Sequence, residues 1–145
     1  MNVQISTCGP GSEGLLAALH ARCFADFWNE AEMAGLLASP GVSALVVEED
    51  GEPAGLALIR VVLEEAELLT LGVLPGRRAR GHGQTLLSAA EAAARKAGAV
   101  RLFLEVSHVN APAAGLYTRA GYRQVGERKR YYRDGADARV LARDL

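Results

Sequence analysis

The stretch "EEAELLTLGVLPGRRARGHGQTLL", Glu64 to Leu87, decides the fold. Its first half is an apolar strand pattern that ends at Pro75, a residue unable to extend a sheet ladder. Three arginines follow, Arg77, Arg78 and Arg80, then Gly81 and Gly83 one residue apart. From Gly83 the apolar spacing becomes helical, with Leu86, Leu87, Ala90, Ala94 and Ala97 on one stripe and Gly98 as the C-terminal stop. A strand, a glycine-containing turn and a helix in succession form an arrangement suited to anions. A helix N-terminus leaves backbone N–H groups unpaired and carries partial positive charge. Two readings of the turn stay open on these residues alone: an exposed basic turn, or a cradle for a phosphorylated ligand. Two familiar motifs are excluded by spacing. No GxxxxGK[ST] is present, and Leu86 stands where GxGxxG requires glycine.

Before this stretch, "VSALVVEEDGEPAGLALIRVV" predicts two strands around the turn Asp50-Gly51. With the strand ending at Pro75 they form an antiparallel meander. Val3 to Ser6 predicts a short strand. Ser12 is the expected N-cap of a helix carrying Leu15, Leu16, Leu19 and Cys23 on one face. Asn29 and Glu32 have capping-box spacing and open a second helix with Met33, Leu36 and Leu37, stopped by Pro40-Gly41.

After the stretch, "AVRLFLEV" predicts a strand apolar on both faces and so buried at the sheet centre. The intervening helix makes it parallel to the strand that ends at Pro75. Asn110 caps a further helix, with Pro112 in its first turn and Gly121 beyond its end. "YRQVGERKRYY" and "ARVLARDL" predict closing strands. The order is β-α-α-β-β-β-α-β-α-β-β, an α/β (α+β) sandwich with a mixed, mostly antiparallel sheet flanked by helices. The length of 145 residues predicts one domain, 1–145.

The chain is 50% hydrophobic and 23% charged with a net charge of −1, a globular balance that gives no general case for nucleic acid or a membrane surface. Local charge is uneven. Basic residues gather at Arg77–Arg80 and again from Arg123 to Arg133, acidic ones at Glu48–Glu52 and Glu64–Glu67. Cys8 and Cys23 form no CxxC pair and have no ligand-spaced histidine, so no zinc site or other metal is expected. The N-terminus lacks the basic start and apolar stretch of a signal peptide, and a reducing cytoplasm is the expected setting.

Arg78-Ala79-Arg80-Gly81-His82-Gly83, directly after a strand and before a helix, resembles the Gln/Arg-x-x-Gly-x-Gly/Ala motif of the GCN5-related N-acetyltransferases. The resemblance covers nearly the whole chain. "LFLEV", "SHVNAPAAGLY", "AGY" and "RKRYY" are similar to segments of the bacterial ribosomal-protein alanine N-acetyltransferases within that family. It implies acetyl-CoA as co-substrate. The backbone of Arg78, Ala79, Arg80, Gly81, His82, Gly83 and Gln84 would hold the pyrophosphate, with Arg77 to Arg80 screening its charge. The backbone of Leu71, Gly72 and Val73 would meet the pantetheine arm and polarise the acetyl carbonyl. Gly72 allows close approach and is a candidate bulge. There are departures from the family pattern. Asp26-Phe27-Trp28-Asn29 lacks the proline of the family's aromatic loop, His82 replaces a small residue, and Arg78 stands where Gln is common.

The same resemblance gives the catalytic candidates. Glu105, at the end of "RLFLEV", would accept the amine proton, and partial burial suits a carboxylate to that task. Tyr117 would protonate the departing thiolate, since a phenol is a competent acid at neutral pH. Asn110, besides capping, would meet the cofactor. Phe27, Trp28, Glu65, Glu67 and Tyr131 are candidates for the acceptor side, where acidic residues would attract a cationic protein or peptide N-terminus, such as that of a ribosomal protein. An α-amine near pKa 8 is ~10% neutral at pH 7 against ~0.04% for lysine near 10.4, which favours an N-terminal acceptor. Two other readings stay open: a family enzyme acting on a small amine or lysine side chain, and a module that binds a CoA ligand without turnover.

Overall fold

The computed structural model describes residues 1–145. Its elements are β1 (Val3–Cys8), α1 (Glu13–Cys23), α2 (Glu30–Ala38), β2 (Val42–Glu49), β3 (Glu52–Val62), β4 (Glu65–Val73), α3 (His82–Lys96), β5 (Arg101–Ser107), α4 (Ala111–Arg119), β6 (Arg123–Arg128) and β7 (Ala138–Asp144), with a single 3-10 turn at Pro75–Arg77. This is the element order expected from the sequence. The seven strands form one sheet in the order β1-β2-β3-β4-β5-β7-β6. All neighbours are antiparallel except β4 and β5, which are parallel across the α3 crossover.

Period-two alternation assigns the strand residues to two cores. Leu45 and Val47 of β2, Ala57 and Ile59 of β3, and Leu102 and Leu104 of β5 pack against Leu86, Leu87, Ala90 and Ala94 of α3. Ala44, Val46, Leu56 and Leu58 point to the other face, where Leu16 and Leu19 of α1 and Met33 and Leu37 of α2 cover them. Complete burial of a Leu side chain stabilises by roughly 2 kcal/mol, so α3 is held chiefly by this stripe.

Local signals explain most boundaries. The tight turn between β2 and β3 uses positive φ at Asp50 (52°) and Gly51 (84°). The capping box is present: Asn29 Oδ1 accepts from Glu32 N at 2.8 Å, and Glu32 Oε1 accepts from Asn29 N at 3.2 Å. Gly98, at φ 99°, ends α3.

Several expectations need correction. Ser12 precedes α1 without a side-chain capping bond; Glu13 accepts from Gly11 N at 2.8 Å instead. Leu15 is 44% exposed, and His20, 3% exposed, takes the buried place on that face. Ala97 lies just past α3 and is exposed. The sixth strand stops at Arg128, so Lys129 to Tyr132 are loop. β5 is not buried on both sides. Leu102, Leu104 and Val106 are buried, whereas Arg101, Phe103, Glu105 and Ser107 are half-buried. The α1–α2 layer packs chiefly over β2, β3 and β4, leaving that side of β5 open.

Candidate active site

β4 and β5 pair only from Glu65↔Arg101 to Leu68↔Leu104, and then diverge. The register of β4 on β3 slips between Leu68 (opposite Ile59) and Thr70 (opposite Leu58), so Leu69 is a bulged residue at the point of divergence. The bulge expected near Gly72 is therefore three residues earlier. Leu74 N–H donates to Ala54 O at 2.8 Å, on the β3 side. Alternation then turns the peptide groups of Leu71 and Val73 away from β3, into the fork. Val73 O is taken by Arg78 Nε at 3.0 Å. The N–H groups of Leu71 and Val73 face the opening. Gly72 serves close packing of another kind: a Cβ there would lie 2.8 Å from Phe24 and 2.9 Å from Cys23 at the end of α1.

The turn from β4 to α3 is built for exposed amides. Ala79 (φ 61°) and Gly81 (φ 84°) are both left-handed, and Gly81 is the N-cap of α3. The backbone N–H groups of residues 78 to 84 make no hydrogen bond within the protein. All of these residues but Arg80 line a groove of about 750 Å³ between the fork, the turn and α4. Leu71, Gly72, Val73, Arg78, Ala79, Gly81, His82, Gly83, Gln84, Asn110 and Tyr117 all line it, which brings together every expected cofactor contact but one.

The exception is Arg80, and with it the expected screening role of the arginines. Arg80 Nη1 binds Glu49 Oε2 at 2.6 Å and Arg77 Nη1 binds the same oxygen at 2.5 Å, while Arg77 Nη2 reaches Glu52 at 2.6 Å. His82, 2% exposed, places Nε2 2.9 Å from Glu49 Oε1. Glu49 is itself buried, and hydrogen bonds from Arg80, His82 and Arg77 hold its carboxyl down to a pKa of about 2. Of the three arginines, Arg78 alone forms no ion pair with a carboxylate. Glu49 was not legible as a site residue, because it sits in an acidic run at a hairpin tip.

Tyr117 stands where this groove meets a second one of about 370 Å³ on the fork's other side. Asn110 lines both as well and caps α4 through Oδ1, which accepts from Ala113 N at 3.3 Å. The Tyr117 ring is buried and meets Tyr122 edge-on at 5.8 Å. Burial, reinforced by Tyr132, raises its pKa to about 12, and its hydroxyl makes no hydrogen bond within the protein. It is a protonated donor with no internal acceptor.

The second groove includes Glu105, Trp28, His20, Thr70, Leu71, Ser107 and Tyr132. Glu105 Oε1 pairs with Arg128 Nε at 3.0 Å, and the Glu105 side chain is 21% exposed. Glu105 also faces a further depression of about 320 Å³ holding Glu65, Glu67, Arg60 and Phe103. Tyr131 stacks under Arg128 at 5.3 Å, and hydrogen bonding to Glu105 raises its pKa. Phe27 does not join: it is 48% exposed and lines neither groove. His20 and Tyr132 are also wall residues of this space.

The comparisons fit this geometry. The Acetyltransferase (GNAT) family matches residues 15–122. The N-alpha-acetyltransferase RimI of Mycobacterium tuberculosis is 38% identical over 135 residues, 88% of this chain and 84% of that protein. The ribosomal protein bS18-alanine N-acetyltransferase of Escherichia coli K12 is 34% identical over 95 residues, 64% of each chain. The crystal structure of the Escherichia coli ribosomal-protein-S18-alanine N-acetyltransferase superposes with a TM-score of 0.91 at 28% identity, covering 99% of this chain and 94% of that one. A forked sheet, a turn of open amides and a phenol between two grooves thus sit on a backbone shared with enzymes that move acetyl groups, and the chain belongs to the GNAT acetyltransferase family as an acetyl-CoA-dependent N-acetyltransferase.

Proposed function

We propose that this protein acetylates the N-terminal α-amine of a protein, of the kind presented by ribosomal protein bS18 to its relatives. The observation that carries the reading is Tyr117, a buried phenol shared by two grooves. One groove is lined by open backbone amides; the other holds Glu105.

Acetyl-CoA supplies the acetyl thioester. The donor set of this chain suits it. The unpaired N–H groups of residues 78, 79 and 81 to 84, with the Arg78 side chain beside them, fit a pyrophosphate. The free edge of β4 fits an amide-bearing arm, and the N–H groups of Leu71 and Val73 are placed to donate to a developing oxyanion, an interaction typically worth ~3 kcal/mol. Glu105 takes the proton from the incoming amine, directly or through water. Tyr117 gives its proton to the departing sulfur. Trp28, His20 and Tyr132 wall the acceptor entrance, and Glu65 and Glu67 lie beyond Glu105 to meet positive charge further along the acceptor chain.

A single carboxylate suffices as base for an α-amine that is ~10% neutral at pH 7. The test is the double variant Glu105→Gln/Tyr117→Phe. Transfer should vanish while acetyl-CoA binding, measured by calorimetry, stays within about twofold. Persisting turnover would overturn both assignments.

A further inference from the structure

We propose that Glu49 is a positioning residue for the coenzyme, acting through Arg80, Arg77 and His82 to hold the 78–84 turn in its amide-out form; this rests on the acetyl-CoA reading of that turn.

Leu45, Val47 and Glu49 alternate toward the α3 face, so the last member of a core-facing series is a carboxylate placed beneath the N-terminus of α3. Three cationic or N–H-bearing side chains from one short segment converge on it: Arg77 at 2.5 Å, Arg80 at 2.6 Å and His82 at 2.9 Å. These residues bracket and interleave with the turn. Between them lie Ala79, in a left-handed conformation unfavourable to a residue with a Cβ, and Gly81, also left-handed. An arrangement of that kind persists only where its surroundings fix it. The amides of 78–84 make no backbone bond that fixes it; Arg78 Nε ties the turn to Val73 O and Thr85 holds Gly81 O, and the bonds to Glu49 fix the side chains on both flanks of Ala79 and Gly81. The His82 ring is sealed in the core with Nδ1 unpartnered, so Glu49 is its sole polar anchor. The pairing also commits Arg77 and Arg80 to carboxylates, leaving Arg78 and Arg119 as the cations of the groove without an ion pair.

The test compares Glu49→Gln with the unsubstituted protein using acetyl-CoA and acetyl-pantetheine, which lacks the pyrophosphate. The variant should raise the Kd for acetyl-CoA tenfold or more, leave kcat at saturation within about twofold, and leave kcat/KM for acetyl-pantetheine within about twofold. Equal losses with both donors would mean only general destabilisation and would overturn the proposal. So would an unchanged or tighter Kd, the result expected if freed Arg77 and Arg80 bound the pyrophosphate themselves. Should Glu49→Gln fail to fold, the half-exposed Arg80→Gln carries the same comparison, with a three- to fivefold rise in Kd for acetyl-CoA and none of the effect on acetyl-pantetheine; an equal effect on both donors would overturn the proposal. Where both variants fold, the double variant should show less than additive loss. Full additivity would contradict action through one network. The Kd comparison needs no acceptor and the turnover comparisons need only an amine that the unsubstituted protein acetylates, so failure of this proposal is separable from failure of the proposed substrate.

Discussion

The indole of Trp28 lies on the imidazole of His20, ring centroids 4.5 Å apart and 5° from parallel, while Trp28 N–H donates to His20 Nδ1 at 3.0 Å. That bond requires an unprotonated Nδ1, so the proton is on Nε2, which donates to Thr70 Oγ1 at 3.1 Å. One neutral histidine thereby ties the loop after α1 to the fork strand. Burial lowers its pKa to about 4 from the ordinary 6.5. Between those values the unfolded chain holds a proton that the native one lacks. The contribution of His20 is complete above pH 6.5 and is lost as pH falls through 4, on the order of 2 kcal/mol. Urea midpoints measured from pH 7.5 to 4.5 should decline, and more shallowly in His20→Gln. Identical slopes would contradict this assignment.

Tyr117→Phe removes one oxygen from a buried ring and keeps the packing on Tyr122. We expect kcat to fall on the order of 10²-fold, with the Kd for acetyl-CoA within about twofold. Because the phenol stays protonated to about pH 12, the unsubstituted enzyme should show no alkaline loss from this group up to pH 10. Stopped-assay pH profiles of both proteins check the two statements together.

Glu105→Gln should lower kcat/KM for an α-amine acceptor by about 10²-fold at pH 7. The deficit should narrow toward pH 9, because an amine near pKa 8 is by then largely neutral without a base. A deficit independent of pH would assign Glu105 to acceptor binding rather than proton removal.

Gly72→Ala forces a methyl group against Phe24 and Cys23 at 2.8–2.9 Å. Overpacking there should destabilise by about 1–3 kcal/mol, read as a lowered Tm, and displace the end of α1 that walls both grooves. An unchanged Tm would show that α1 yields freely.

Much of this was legible in the sequence because it depends on local rules. Asp50-Gly51, the Asn29–Glu32 box, Gly98 and the change from strand to helical spacing at Gly83 each act within a few residues. The resemblance points to Glu105, Tyr117 and the turn from Arg78 to Gln84, and all of these but Arg80 line the two grooves. What stayed hidden depends on contacts across the chain. Glu49 meets Arg77, Arg80 and His82 from 28 to 33 residues away, and His20 meets Thr70 at a separation of 50. The insertion of β7 between β5 and β6 is likewise a pairing choice that no periodicity encodes. The alternating burial of β5 was misjudged because Phe103 is apolar yet faces the side the α1–α2 layer leaves open.

The central claim is the identity of the acceptor. The direct measurement is thiol release from acetyl-CoA with short peptides bearing free Ala, Ser or Met N-termini, an N-terminally blocked lysine peptide and simple polyamines, with mass spectrometry locating the acetyl group. We expect acetyl on the α-amine of Ala-leading peptides. Acetyl found only on lysine side chains or polyamines would contradict it.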